Sequence, residues 1–207
     1  MSRKTSLRQR RNPIPTIIGA GITEQWYFTH LKALRGYHVK IRPRFFGTET
    51  AAGLDKKIEE VLRDESIAIC VFDADVSTWN EAERKKLAAL QKKYEGNASV
   101  ILCDSMPSIE YWFLLHFKHT TRHFGTSKAV VKELKKYIPQ YDKTEQFFSN
   151  QKWVEDMSGE GRQEQACDFA DKAGVTKGSY TKIQKAIAKL KSFIHHQTSF
   201  TKKFTKT

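Results

Sequence analysis

Two aspartates stand at the end of a short apolar segment of this chain. Residues 67–72 (IAICVF) form a continuous run, and Asp73 and Asp75 follow it. Such a run is typical of a parallel strand that is buried on both faces, and residues i and i+2 of a strand face the same side. Because ligands bind at the carboxyl ends of strands in open α/β sheets, the two carboxylates are candidate Mg²⁺ ligands. A helix N-cap followed by a solvated loop aspartate would give the same pattern.

Two glutamates could join these aspartates. The stretch 16–28 (TIIGAGITEQWYF) predicts a strand, a turn with Ala20 between two glycines, and a helix that carries Glu24 in its first turn. Glu110 lies near the start of an apolar helix predicted from PSIEYWFLLHFKH at 107–119. Either glutamate could instead compensate the dipole of its own helix. A carboxylate among the aromatic residues 111–113 would be costly if it were buried without a partner.

Alternating strand and helix patterns must position these acids. Hydrophobic periodicity predicts strands at 14–18, 39–41, 66–72 and 99–102, and helices at 23–35, 50–65 and 80–94. This alternation predicts an α/β fold with a mostly parallel sheet and right-handed crossovers.

The pattern changes after Asp104. Only helices and loops are predicted there, with helices at 107–119, 126–137, 160–173 and 180–196 and a loop-rich surface at 140–165. We therefore predict an α/β domain at 13–117 and a helical, basic C-terminal extension at 118–207 that packs on it as one compact unit.

The net charge of +13 is concentrated at the two ends of the chain. Residues 1–12 carry five Arg or Lys and residues 172–207 carry nine Lys, and neither segment contains an acid. Basic ends of this kind typically neutralise the phosphates of a polyanion, so they favour a nucleic-acid partner over a purely solubilising role. Within the chain, Arg42 and Arg44 of VKIRPR and Lys182 and Lys185 of the last helix are candidate backbone contacts, although they would also suit an exposed basic face.

Several other classes of function are disfavoured. Cys70, Cys103 and Cys167 are far apart, which suggests reduced thiols in a cytoplasmic protein. The spacing of the histidines at 116, 119 and 123 fits no common zinc pattern. The sequence has no long apolar segment for a membrane span, no glycine elbow for a serine hydrolase, and no GxxxxGK[ST] for ATP. Any ATPase activity would therefore come from a partner.

The combination of motifs resembles the RloB-like family of small Toprim proteins. The similarity rests on the G-x-G-x-T-E turn, the DxD after a later strand, the PSIEYWFLLHF helix, and the segments YIPQYDK (137–143) and GSYTKIQKAIAKL (178–190). The resemblance implies a Toprim fold in which a Glu in the turn after the first strand and the DxD bind Mg²⁺ or Mn²⁺. It also implies a toxic nuclease that acts in bacterial phage defence by abortive infection, beside an ABC- or AAA-type ATPase. RNA, with tRNA as one class, is favoured over DNA, and a homo-oligomer is possible.

Position 20 departs from this pattern. The family's motif has Glu where this chain has Ala20, so we expect weak metal binding and poor cleavage from the chain as it stands. A natural degenerate copy and an engineered replacement would both explain the alanine, and the otherwise intact motif favours replacement. The remaining catalytic candidates are Glu24, Asp73, Asp75 and Glu110, with Asp73 and Asp75 as metal ligands.

A second class of function also fits the sequence. If Ala20 is native, the sheet could be the scaffold of a non-catalytic subunit that binds nucleic acid or a partner protein. Primase or topoisomerase activity is a weaker alternative, because those functions need further domains. Restoring Glu at position 20 would separate the nuclease from the binding subunit.

Overall fold

The structure, a computed structural model, describes residues 13–42, 50–74, 81–175 and 178–204, with side chains through residue 193. Its strands are β1 (Thr16–Gly19), β2 (Lys40–Arg42), β3 (Ala68–Asp73), β4 (Val100–Met106) and β5 (Tyr180–Thr181). Its helices are α1 (Ile22–Arg35), α2 (Ala51–Arg63), α3 (Glu81–Lys93), α4 (Glu110–Leu115), α5 (Ser127–Leu134), α6 (Glu145–Phe148), α7 (Lys152–Ser158), α8 (Arg162–Ala173) and α9 (Ile183–Phe204).

The strands form one sheet in the order β2-β1-β3-β4-β5. The first four strands are parallel, and β5 pairs antiparallel with β4. The predicted α/β fold with a mostly parallel sheet is therefore confirmed. Because β1, β3 and β4 run in the same direction, the turns and side chains that follow them meet at one edge of the sheet.

Each face of the sheet is covered by its own group of helices. The larger core joins the face that carries Ile17, Ile69 and Cys103 to α1, α4 and the helices of the C-terminal extension. The smaller core joins the opposite face, which carries Ile18 and Cys70, to α2 and α3. Side chains alternate between the faces along each strand, so the face to which Asp73 belongs is that of Ile69, against α1 and α4.

Two predictions for the C-terminal half are wrong. The expectation of helices and loops alone missed β5, whose Thr181 pairs with Ser105. The segment 140–165 is not mainly loop, because it contains α6, α7 and the start of α8. The extension also contributes Tyr141, Trp153 and Ile187 to the larger core, so residues from both sides of position 118 share one hydrophobic interior.

Among the described residues, none of the helices is both long enough and apolar enough to cross a membrane. The three cysteines form no disulfide bond in the described structure, and two of them, Cys70 and Cys103, are buried.

Candidate active site

Three acidic side chains meet at the carboxyl edge of the sheet. Asp73 is the last residue of β3, and its Oδ1 accepts a hydrogen bond of 2.9 Å from the backbone N–H of Ile109. This contact fixes the start of α4 beside the end of β3, and it brings Glu110 into electrostatic range of both Asp73 and Glu24. Acids that are 86 residues apart in sequence, at positions 24 and 110, therefore share one site.

Glu24 reaches this site because of the turn that precedes its helix. The carboxyl group of Glu24 lies over Gly21, where a Cβ atom would be only 2.6 Å from Glu24 Oε2. At Gly19 a Cβ atom would be 3.0 Å from Glu24 Cβ. Both glycines are therefore needed for close approach: Gly19 lets α1 pack against the end of β1, and Gly21 leaves space for the carboxylate. Glu24 is only 3 % exposed in this position.

Glu110 is completely buried and is held by three polar side chains. Its Oε1 accepts a hydrogen bond of 2.9 Å from the Tyr141 hydroxyl and lies 2.7 Å from Lys143 Nζ, and its Oε2 accepts one of 2.5 Å from Ser108. These contacts satisfy the carboxylate in a place where an unpaired charge would be strongly destabilising. Glu110 is thus fixed in position before any ligand binds.

The site carries more negative charge than its own lysine can balance. Burial raises the pKa of Glu24 to about 7, the charge of Glu110 adds to this, and backbone hydrogen bonds oppose it. Burial, followed by the charges of Glu24 and Glu110, raises the pKa of Asp73 well above its usual range. Although burial lowers the pKa of Lys143, the nearby carboxylates raise it overall. Ionised, the three acids and Lys143 leave a net charge of about −2 in a largely buried site, which favours a bound cation or proton.

These carboxylates fit Mg²⁺ better than a metal ion whose ligands all come from protein side chains. Among the described residues, no group of three or more His, Cys, Asp or Glu side chains could hold a metal ion by itself. Magnesium is usually held by one or two carboxylates, with water and substrate phosphates completing its coordination. Glu24 and Asp73 can supply two such carboxylates, whereas the oxygens of Glu110 are occupied by hydrogen bonds.

Two of the predicted site residues, Asp75 and Arg44, lie outside the described residues. Ala20 follows β1, its N–H donates to the carbonyl of Val71 at 3.0 Å, and it packs against the smaller core. Position 20 is therefore one strand away from the end of β3, but in this chain the acid after β1 that lies near Asp73 is Glu24.

The described basic candidates are not equally free to bind a phosphate. Arg42 lies 2.5 Å from Glu60 Oε2, and Lys182 lies 2.7 Å from the buried Asp104. Asp104 also accepts a hydrogen bond of 2.7 Å from Tyr180, so Lys182 belongs to a balanced ion pair that ties β5 to β4. Lys185 is exposed on α9. It is the more available of the two lysines predicted to bind nucleic acid.

Sequence reasoning missed Ser108, Tyr141 and Lys143. Lys143 is the most important of these, because its side chain is 48 % exposed while its ammonium group contacts the fully buried Glu110. It can therefore reach both the acids and a ligand in solvent. The segment YIPQYDK was noticed only for its resemblance to the family, and nothing in its spacing shows that it folds back over α4.

The comparison with known families matches nearly the whole chain. A family model described as RloB-like protein matches residues 16–200, a range that includes the three acids and Lys143. No curated protein and no solved structure shows significant similarity to the sequence.

Proposed function

Because the chain belongs to the RloB-like family, we propose that it is a Mg²⁺-dependent nuclease that cleaves phosphodiester bonds, with RNA favoured over DNA as substrate. The observation that carries the proposal is the excess of buried carboxylate at the carboxyl edge of the sheet, where burial and neighbouring carboxylates raise the pKa values of Glu24 and Asp73. Such perturbed acids in one place are typical of a catalytic site.

The acids and Lys143 would have different roles. Glu24 and Asp73 would hold the metal ion, with Asp75 as a further candidate. When bound, the ion would polarise the phosphoryl oxygen and stabilise the leaving oxygen. Glu110 would position Lys143 through their 2.7 Å contact, and the Lys143 ammonium group would also donate to a non-bridging oxygen of the substrate.

The proposed biological role rests on the family resemblance alone. In this role the protein is a toxic effector in bacterial phage defence that acts in the cytoplasm. An ABC- or AAA-type ATPase partner controls it, and tRNA is among its substrates. The alternative is a non-catalytic subunit that binds nucleic acid or a partner. That alternative is favoured by Ala20 and by the hydrogen-bonded state of Glu110.

The test of the proposal compares the unsubstituted chain with Asp73→Asn in thermal unfolding and in cleavage of end-labelled RNA. At about ten times its Kd, Mg²⁺ should stabilise the unsubstituted chain by about 1.4 kcal/mol, which corresponds to a Tm increase of about 3–6 °C. Cleavage should be slow and abolished by EDTA. In EDTA, Asp73→Asn should melt above the unsubstituted chain, because it removes one repelling buried charge and keeps an acceptor for Ile109 N–H.

The control is Asp64→Asn, which removes an exposed carboxylate at the end of α2. It should keep the full Tm response to Mg²⁺. An equal response in Asp73→Asn, together with no cleavage by either protein, would contradict a metal site at this sheet edge.

The two glycines of the first turn give a second prediction. Gly21→Ala should move the Glu24 carboxylate, since the new methyl group would contact the flexible end of that side chain. We expect Tm to stay within about 2 °C of the unsubstituted chain, with most of the Mg²⁺ response lost. Gly19→Ala would instead contact Glu24 Cβ, which cannot move without the helix, and it should lower the free energy of unfolding by about 1–3 kcal/mol. Equal effects of the two substitutions on stability would show that the turn is not built as described.

A further inference from the structure

A small cavity lies near the candidate active site, between Gln140 and helices α6 and α7. Its volume is about 180 Å³, and its apolar wall is formed by Phe147 and the largely buried Trp153. This volume is below the range of about 300–1,000 Å³ that is usual for pockets with drug-sized ligands. The cavity therefore suits a single small ring system.

Two aromatic rings, those of Phe147 and Tyr141, lie between this cavity and the buried Glu110. The rings of Phe147 and Tyr141 contact each other with centroids 5.3 Å apart, and the Tyr141 hydroxyl donates to Glu110 Oε1. Lys143 follows Tyr141 by two residues and contacts the same carboxylate oxygen. A ligand group in the cavity would thus lie across the Phe147–Tyr141 pair from the group that Lys143 and the acids bind.

The polar groups of the cavity are suited to a neutral ligand. Gln140, Gln146 and Asn150 line it and are exposed, and each side-chain amide offers both donors and an acceptor. The two charged residues of the lining, Lys152 and Asp156, pair with each other at 2.9 Å. Little net charge is left to attract a phosphate. Amides above an aromatic wall match the hydrogen-bonding edge and the flat face of a nucleobase.

We infer that this amide pocket (Gln140, Gln146, Asn150, Phe147 and Trp153) binds one unpaired nucleobase of the strand that is cleaved. The inference rests on the proposed nuclease function and narrows its substrate class. A base that enters the pocket must leave its helical stack, so the preferred substrates are single-stranded segments and loops rather than continuous duplex.

The test measures binding separately from cleavage. Fluorescence anisotropy in Ca²⁺ would follow a labelled ten-nucleotide RNA and a set of copies in which each base in turn is removed to leave an abasic site. For the unsubstituted chain, one abasic position should weaken binding by about tenfold. The double variant Gln140→Ala/Gln146→Ala should bind the intact RNA about tenfold more weakly and should no longer respond to that abasic position.

The control is Gln165→Ala, an exposed amide on α8 outside the cavity, and it should behave as the unsubstituted chain. If the double variant keeps full affinity and the same abasic response, the pocket assignment is wrong, even if the protein cleaves RNA. If binding depends on the pocket but no variant cleaves with Mg²⁺, the nuclease proposal fails and a base-binding site remains. If the unsubstituted chain binds no RNA, both fail.

Discussion

Substituting Ala20 by glutamate is expected to raise Mg²⁺-dependent cleavage of RNA by at least about 100-fold, which corresponds to about 3 kcal/mol of transition-state stabilisation. The N–H of Ala20 donates to the carbonyl of Val71, two residues before Asp73, so position 20 lies one strand away from the end of β3. The Ala20 side chain packs against the smaller core, on the opposite face of the sheet from Asp73, so the longer glutamate side chain must extend over the carboxyl edge to reach the metal ligands. Ala20 is also partly exposed. A further ligand would hold the ion more firmly and fix its position.

The matched control is Ala98→Glu. Ala98 is exposed and precedes β4, at the opposite edge of the sheet, so it adds the same charge far from the acids. The measurement is the initial rate of RNA cleavage at saturating Mg²⁺ for both variants and the unsubstituted chain. Equal rates for the two variants, or no cleavage by Ala20→Glu with or without its partner ATPase, would favour the non-catalytic binding subunit.

Replacing Glu110 by alanine is expected to lower the free energy of unfolding by about 3 kcal/mol. The substitution would leave the hydroxyls of Tyr141 and Ser108 buried without their acceptor and Lys143 without its closest partner. Relief of the repulsion on Asp73 would offset part of this loss. Urea denaturation should show the full effect for Glu110→Ala and a smaller one for Glu110→Gln, which keeps a similar shape and one acceptor oxygen.

Glu133→Ala is the appropriate comparison. Glu133 is paired with two lysines, Lys118 and Lys136, that can turn to water, whereas Glu110 also accepts hydrogen bonds from two buried hydroxyls. Its loss should therefore be clearly smaller than that of Glu110→Ala. A Glu110→Ala protein as stable as Glu133→Ala would mean that the buried network does not hold α4 and the 141–143 segment in place.

The edge of the sheet could be predicted from sequence because its signals are local. The segment before Asp73 is a continuous apolar run rich in β-branched residues, which predicts a buried strand. The glycines on either side of Ala20 predict a turn before the helix of Glu24. Parallel strands then bring these ends together by topology alone. Glu110 could be proposed for the site because a carboxylate among aromatic residues requires a partner.

The partners of Glu110 could not be predicted in the same way. Tyr141 and Lys143 lie more than 30 residues after Glu110, and their contact with it depends on how α5 and the following segment fold over α4. Helices α6 and α7 have four and seven residues, too short for a clear hydrophobic period, so their region looked like loop. β5 has only two residues and is defined by its pairing with β4.

Lys143 adds to the acidic site a cation that the sequence pattern did not predict. From the sequence, the acids alone were expected to hold a metal ion. In the structure, one carboxylate, that of Glu110, is committed to Lys143 and Tyr141, while Glu24 and Asp73 keep perturbed pKa values. The site thus combines a fixed cation with an unbalanced pair of acids, an arrangement suited to a phosphate and a divalent ion together.

The most direct measurement of the central claim is the rate of Mg²⁺-dependent RNA cleavage by Ala20→Glu with and without Asp73→Asn. If the acids after β1 and β3 share one ion, adding Asp73→Asn should return the rate to the level of the EDTA control, a loss of at least about 100-fold, while the double variant stays folded. A double variant that retains most of the Ala20→Glu rate would contradict the account.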